Sequence, residues 1–324
     1  MFGQASGLHN KPKKESFGQQ VWSIFKIVLI AFVIRTVFYG LYQVPTPSME
    51  NTMLVGERFL ADKLSVYFKS PARGEIVTLN QPTFKYSDNK LKNIWERYVG
   101  ISFFSNGKWI DWGPTNWTKR VIGAPGDELK GVIEDGKPVI YLKKAGETDF
   151  VKLDEPYLNK YPVVATYNSK RNDPFTYRSW DPNKPLDQQP FYQFTRAEIE
   201  MGKIKARDYY GDRAVKNPGT PYLAMMHRSE QPWSTGEVYN GIAILDEFHV
   251  KLDKDQYWLM GDNRLASHDS RAWGPVNKNL IHGKIKFRIW SLDSDSSWWI
   301  FDLIKHPIKF WSKIRWSRCL QSVK

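Results

Sequence analysis

The feature that most limits what this chain can fold into is an apolar run from Val21 to Val44, V-W-S-I-F-K-I-V-L-I-A-F-V-I-R-T-V-F-Y-G-L-Y-Q-V. As one helix at about 1.5 Å per residue it extends roughly 36 Å, enough to cross a bilayer core. Two charges interrupt it. Lys26 and Arg35 fall on opposite faces of such a helix, and each can snorkel toward its own end. A charge left near the centre would cost about 2.5–3.5 kcal/mol, which the apolar residues can offset. A buried helix of a soluble domain is the other reading. A cleaved secretory leader fits less well, because the run is too long and no small-x-small pattern follows before Pro45. The expectation is a polar lead over 1–20 and a transmembrane anchor over 21–43, with Lys11, Lys13 and Lys14 keeping the N-terminus cytoplasmic.

A net charge of +13 suits nucleic acid or an anionic membrane surface, so its position along the chain decides. The excess lies at the two ends, and no acid follows Asp302 among Lys305, Lys309, Lys313, Arg315, Arg318 and Lys324. That pattern favours membrane lipid as a partner and predicts no nucleic acid. The lone Cys319 excludes an intrachain disulfide and a CxxC site, and the six histidines show no HExxH or similar ligand spacing. No metal and no cofactor are expected.

Beyond the run, Pro45 to Met49 reads as a stiff turn, and V-G-E-R-F-L-A (Val55 to Ala61) as the strand after it. Glu75–Leu79, Pro138–Leu142, Gln256–Met260 and Lys284–Ile289 have β character between Pro, Gly, Asn and Asp clusters, so the fold is expected to be mainly β. The stretch 131–248 is rich in Tyr, Pro, Asn and charge, with D-P-N-K-P at 181–185 and N-P-G-T-P at 217–221. It reads as an inserted, loop-rich β subdomain without a catalytic motif. That leaves 44–130 plus 249–290 for the main β domain and 291–324 for a basic, aromatic tail. The tail has the composition of a membrane-interface element, docking on the protein core being the other reading; Pro307 breaks any single helix there.

Three stretches carry candidate chemistry. Trp117–Leu129, W-T-K-R-V-I-G-A-P-G-D-E-L, is a strand-like run holding Lys119. An exposed lysine with a pKa near ~10.4 is a poor base at neutral pH, but burial can bring it toward ~7. Val121, Ile122 and Ala124 suggest such burial, although this stretch alone leaves open a lysine that simply reaches water. Ser48 follows Pro45 and Pro47, which restrict the backbone and can hold its hydroxyl in one direction. A serine becomes a useful nucleophile only beside a base, and taken alone Ser48 also reads as a turn residue. The third stretch, Met260–Val276, is dense in short polar side chains; Ser267, Asp269 and Arg271 project to one side if it is extended, and a solvated surface loop is the alternative. His268 beside Asp269 does not make a Ser-His-Asp triad, because neighbours on a strand point to opposite faces.

In content and order these stretches resemble type I signal peptidase, the bacterial leader peptidase family. The carriers are Pro45, Ser48 and Met49 in a P-x-x-S-M segment, T-M-L-V-G-E-R (Thr52–Arg58), R-G-E-I-V (Arg73–Val77), T-K-R-V-I-G-A-P-G-D (Thr118–Asp127) and G-D-N-R-L-A-S-H-D-S-R-A-W-G-P-V (Gly261–Val276). The resemblance implies a signal-peptidase-like β-sheet catalytic domain behind one transmembrane helix. It also implies a Ser/Lys dyad, with Ser48 as nucleophile and Lys119 as general base. The Ser48 N–H and the Thr46 hydroxyl would form the oxyanion hole, and Ser267 would orient the lysine amine. Met49 would pack beside the site, while Asp262, Asp269 and Arg271 would hold the loop around the dyad. Two positions depart from the family pattern: Pro47 stands where many members have glycine, and Asn51 where proline is usual.

The implied function is a membrane-bound serine endopeptidase that removes N-terminal signal peptides from exported preproteins through an acyl-enzyme. The implied location is the bacterial inner membrane, single-pass, with the catalytic domain on the outer, periplasmic side. Two rivals remain at this point: a soluble, self-cleaving Ser/Lys protease of the repressor type, and an inactive, membrane-tethered binding protein.

Overall fold

The structure is a computed structural model that describes residues 16–98, 101–105, 108–135, 137–161, 163–167, 175–181, 183–194, 205–207, 232–235, 238–239, 242–243, 246–294 and 299–323. The N-P-G-T-P segment at 217–221 and most of the polar lead lie outside these residues. Helix α1, Phe17–Val33, begins four residues before the apolar run because Ser16 and Gln19 form a capping box that satisfies its first amides. A π-helical turn, Ile34–Phe38, continues it, giving a span of 22 residues, about 33 Å. None of the span is buried, so it is not the core helix of a soluble domain.

The apolar helix, expected as an anchor over 21–43, therefore ends at Phe38. Tyr39–Gln43 form strand β1, pairing antiparallel with β2, Glu57–Asp62, with Tyr39 opposite Asp62 and Gln43 opposite Arg58. An uncharged run does not by itself mark where helix gives way to strand, whereas ladder pairing does.

The main sheet is eight-stranded. Besides β1 and β2 it contains β3 (Ile76–Asn80), β4 (Asn116–Gly123), β5 (Gln256–Met260), β6 (Val276–Asn277), β7 (Ile281–Ser291) and β8 (Gln321–Ser322). Its order is β1-β2-β7-β3-β4-β5-β6, with β8 added to β7. The expected strands at 75–79, 256–260 and 284–289 fall on β3, β5 and β7.

Both faces of this sheet are covered, so β3 and the second half of β4 are buried throughout, as their near-continuous apolar sequences require. Val121 packs with Val77, Leu79, Tyr257 and Leu259 on one face. Its neighbour Ile122 packs with Leu129, Ile140, Trp258 and Met260 on the other. Each such side chain, fully buried, is worth about 1.5–3 kcal/mol.

A four-stranded sheet follows the A-P-G-D turn, built from Glu128–Glu134, Lys137–Lys143, Val151–Lys152 and Phe248–Lys251. The boundaries at 131 and 248 thus fall inside strands of this sheet, which gathers the two ends of the long central stretch. In the turn, Gly126 adopts φ +84° and the Asp127 carboxylate accepts from the Ala124 and Ala145 amides. Arg73 closes it with two 2.6 Å bonds to Asp127.

The tail forms two short helices, Trp299–Lys305 and Pro307–Ser312, split where Pro307 lacks an amide donor. Phe310 and Ile314 bury against Leu292. Arg315 donates to the Val55 and Leu292 carbonyls at 2.7 and 2.8 Å, and Arg318 pairs with buried Glu57 at 2.7 Å. One face of the tail is therefore docked on the protein. Ile300, Phe301, Ile304, Ile308 and Trp311 remain exposed on the other.

Candidate active site

Strand β4 carries Lys119 and Arg120 side by side, and successive side chains leave a strand on opposite faces. Lys119 lies opposite Val77 on β3 and is 5% exposed. Burial lowers its pKa to about 8, against the pull of Asp269; Arg271 lowers it further and Asp262 raises it. The amine sits 3.1 Å from Ser48 Oγ and donates to the Thr118 carbonyl at 3.2 Å.

The serine is held by local backbone. Pro47–Met49 form one 3₁₀ turn, which Pro47 can start because the first amide of a helix has no partner to lose. Thr46 precedes it in extended conformation, its Oγ1 3.5 Å from Ser48 Oγ. The Ser48 carbonyl accepts from the Asn263 amide at 3.1 Å. Met49 is buried with Met53, Phe59, Ala61, Ile76 and Ile285, and so pins the turn to the main sheet.

Gly261 lies directly behind the serine. A Cβ there would come within 2.3 Å of both the Ser48 carbonyl oxygen and Ser267 Oγ. Gly261→Ala is therefore expected to displace Ser48 from the amine and lower kcat/KM by about 10²-fold, the scale of a 1 Å misplacement. Steady-state cleavage assays check this, and wild-type rates in the variant would show that the carbonyl moves freely.

Asp262 and Arg120 form a buried, two-pronged pair at 2.8 and 2.7 Å, and Thr52 donates to the same carboxylate at 2.5 Å. Arg120 also donates to the Gly74 carbonyl at 2.6 Å. Asp269 and Arg271 do meet, but not through an extended segment. Asp269 caps the short helix Ser270–Trp273, and Arg271 folds back on it at 2.8 and 2.9 Å while also pairing with Asp246. Burial raises the Asp269 carboxyl, but the adjacent Arg271 overrides this and holds it below the usual carboxylate range. Asp269 further accepts from the Gly261 amide at 3.1 Å, tying the cage to the glycine behind Ser48.

Ser267 is buried behind Gly261 but makes no hydrogen bond to Lys119; its hydroxyl faces the Asp269 carboxylate outside good bonding geometry. His268 packs on Trp117, with ring centroids 5.5 Å apart.

Sequence reasoning missed Glu50, two residues after Ser48. It is fully buried, accepts from Ser179 N and Oγ at 2.7 Å each, and bonds Tyr192. Burial pushes its carboxyl up to about 7 against these donors and Arg178. Asn51 bonds Asn159 at 3.1 Å. The central stretch, which shows no catalytic motif, thus grips the serine turn through Asn159, Ser179 and Tyr192. The one available signal was a lone acid in the apolar context M-E-N-T-M-L-V. Arg120 was visible only as the partner that a buried Asp262 would need. Among the described residues no cluster of His, Cys, Asp or Glu could hold a metal ion.

A lysine amine and a serine hydroxyl, buried together at an interior strand of a β domain that follows an apolar helix, are the elements of a candidate hydrolytic site. The model of the family described as signal peptidase, peptidase S26, matches residues 18–290. The chain belongs to that family. It is 24% identical over 310 residues to a signal peptidase I of Buchnera aphidicola, covering 90% of this chain and 81% of that one. It is 26% identical over 268 residues to a signal peptidase I of Aquifex aeolicus, covering 82% and 81%. A probable signal peptidase I-2 of Synechocystis is 31% identical over 283 residues, covering 86% and 78%.

Proposed function

We propose that this serine peptidase of family S26, which cleaves signal peptides from secreted preproteins, works through Ser48 and Lys119. The supporting observation is the 3.1 Å approach of a buried amine to the Ser48 hydroxyl. Ser48 Oγ attacks the scissile carbonyl as its proton passes to neutral Lys119 Nζ. The Ser48 N–H and Thr46 Oγ1 donate to the oxyanion. Collapse breaks the peptide C–N bond, and the Lys119 ammonium returns the proton to the leaving amine. Water then attacks the acyl-enzyme, again losing its proton to Lys119, and Ser48 is regenerated. Met49 keeps water from the amine side of the turn, and Asp262, Asp269 and Arg271 hold the loop whose Asn263 amide fixes the Ser48 carbonyl.

The unburied, apolar N-terminal helix and the signal peptidase I relatives support a membrane location. The lysines preceding the helix support a cytoplasmic N-terminus, and the bacterial relatives support the inner membrane with the catalytic domain on the outer side. The exposed apolar face of the tail, edged by Lys305 and Lys309, fits lipid headgroups.

Incubation of detergent-solubilised protein with a preprotein tests the reading, since a binding-only protein leaves the substrate intact. The pH profile tests the base. Only the neutral amine accepts a proton, so kcat/KM should rise about tenfold per unit below pH about 8 and level off above it. A profile flat from about pH 6 to 10 removes Lys119 from that role.

A further inference from the structure

A cavity of about 220 Å³ opens where the N-terminal helix meets the main sheet, lined by Arg35, Lys63, Arg97, Tyr42, Asn80 and Asn116 among others. Arg35 belongs to the last turn of the span, about 27 Å along the axis from Phe17, at headgroup depth if the helix crosses a bilayer. Lys63 follows directly on β2, and its amide donates to the Phe38 carbonyl at 2.9 Å, which locks it beside the helix exit. Arg97 arrives from the helix Lys90–Tyr98, its guanidinium 4.0 Å from the Tyr86 ring and bonded to Asn93.

The charges in this cavity are unbalanced. Of its described lining, Glu96 is the one carboxylate, and it is already engaged by the Ser87 amide at 2.8 Å and by Lys92 at 3.9 Å. Neither Arg35 nor Lys63 makes an ion pair among the described residues. Burial lowers the Lys63 pKa and Arg35 lowers it further, so the two cations repel across the space. Tyr42 gives the wall a hydroxyl, fixed 3.2 Å from His282 Nδ1, whose ring also lines the cavity. Guanidinium forks and an ammonium, with amide and hydroxyl groups between them, are the donor set that recognises phosphate oxygens.

We propose that this cavity binds a phosphoryl anion, with Arg35, Lys63 and Arg97 as its cationic ligands. The anion relieves the mutual repulsion of Arg35 and Lys63 and joins the end of the helix to β2. Its source is a phospholipid headgroup or free phosphate, and only the former depends on the helix lying in a membrane. Bound there, it sets the angle at which the β domain leaves the bilayer.

The test uses the full chain in a non-ionic detergent, titrated calorimetrically with inorganic phosphate, short-chain phosphatidylglycerol and short-chain phosphatidylcholine. The expected result is saturable binding of at least one of them that weakens at least tenfold in Arg35→Gln/Lys63→Gln and survives in Lys63→Arg. Binding of inorganic phosphate identifies the free anion as sufficient; binding of lipid alone identifies the headgroup. Thermal unfolding without ligand checks that the double variant is folded, and Arg97→Gln, expected to weaken binding in the same way, replaces it if it is not. Absence of binding by the wild-type chain, or equal affinity in the variants, overturns the proposal. The phosphate arm needs no bilayer, so its outcome is independent of whether the helix is membrane-spanning and of whether the dyad cleaves preproteins.

Discussion

Ser48→Ala is expected to abolish preprotein cleavage, and Lys119→Met to lower kcat/KM by at least about 10⁴-fold, with both proteins folded. The two should differ in stability. Folding lowers the lysine pKa from its ordinary value to about 8, so the native state binds fewer protons than the unfolded chain between about pH 8 and 10.4. Stability therefore rises with pH across that window, and below it the buried ammonium costs on the order of 3 kcal/mol. Lys119→Met keeps the packing and removes that cost. It should be more stable than wild type at pH 7 and lose the rise toward alkaline pH. Urea midpoints measured from pH 6 to 10 check this beside the cleavage assay. An active Lys119→Met, or one less stable than wild type at pH 7, would contradict the buried-base account.

The second large effect is expected at the pair behind the serine. Asp262→Ala leaves Arg120 charged and 2% exposed without its carboxylate, and removes the acceptor of Thr52. Breaking a buried pair from one side costs about 3–5 kcal/mol, which in a domain of this size lowers Tm by about 10 °C. Activity should fall as well, because Asn263, the next residue, holds the Ser48 carbonyl. Replacing both partners, Arg120→Met with Asp262→Leu, should recover most of the stability, since no unpaired charge remains. Calorimetric melts of the two variants beside the wild type decide it. A loss under about 1 kcal/mol in Asp262→Ala would mean that water reaches Arg120.

Much of the site was legible because the chain marks it locally. Pro45 and Pro47 restrict the turn around Ser48, and Lys119 lies on a strand whose next residues, Val121 and Ile122, are buried one on each face. For the dense polar loop at 261–271 the residues left a solvated surface loop open, and the loop-holding role of Asp262, Asp269 and Arg271 came from the family resemblance; the geometry was not legible. Asp269 and Arg271 are joined by a helix cap rather than by strand alternation. Glu50 was missed because its partners, Ser179 and Tyr192, lie 129 and 142 residues away. The helix end was misplaced for a related reason: Tyr39–Gln43 continue the uncharged run with no breaker before Gly40, and pairing with β2 makes them a strand.

By itself the sequence determined which groups exist and what they can do: an apolar helix, a serine in a proline-restricted turn, a lysine in a strand dense with aliphatic residues, and the order that identifies the family. These follow from neighbours a few residues apart, where covalent geometry and period-two burial act directly. Tertiary structure decided which groups meet. The 3.1 Å separation of Lys119 and Ser48, the pairing of Arg120 with Asp262, the grip of Ser179 on Glu50 and the face on which the tail docks each join distant parts of the chain. Such contacts form only where the packed sheet excludes water, so their strength depends on the whole fold.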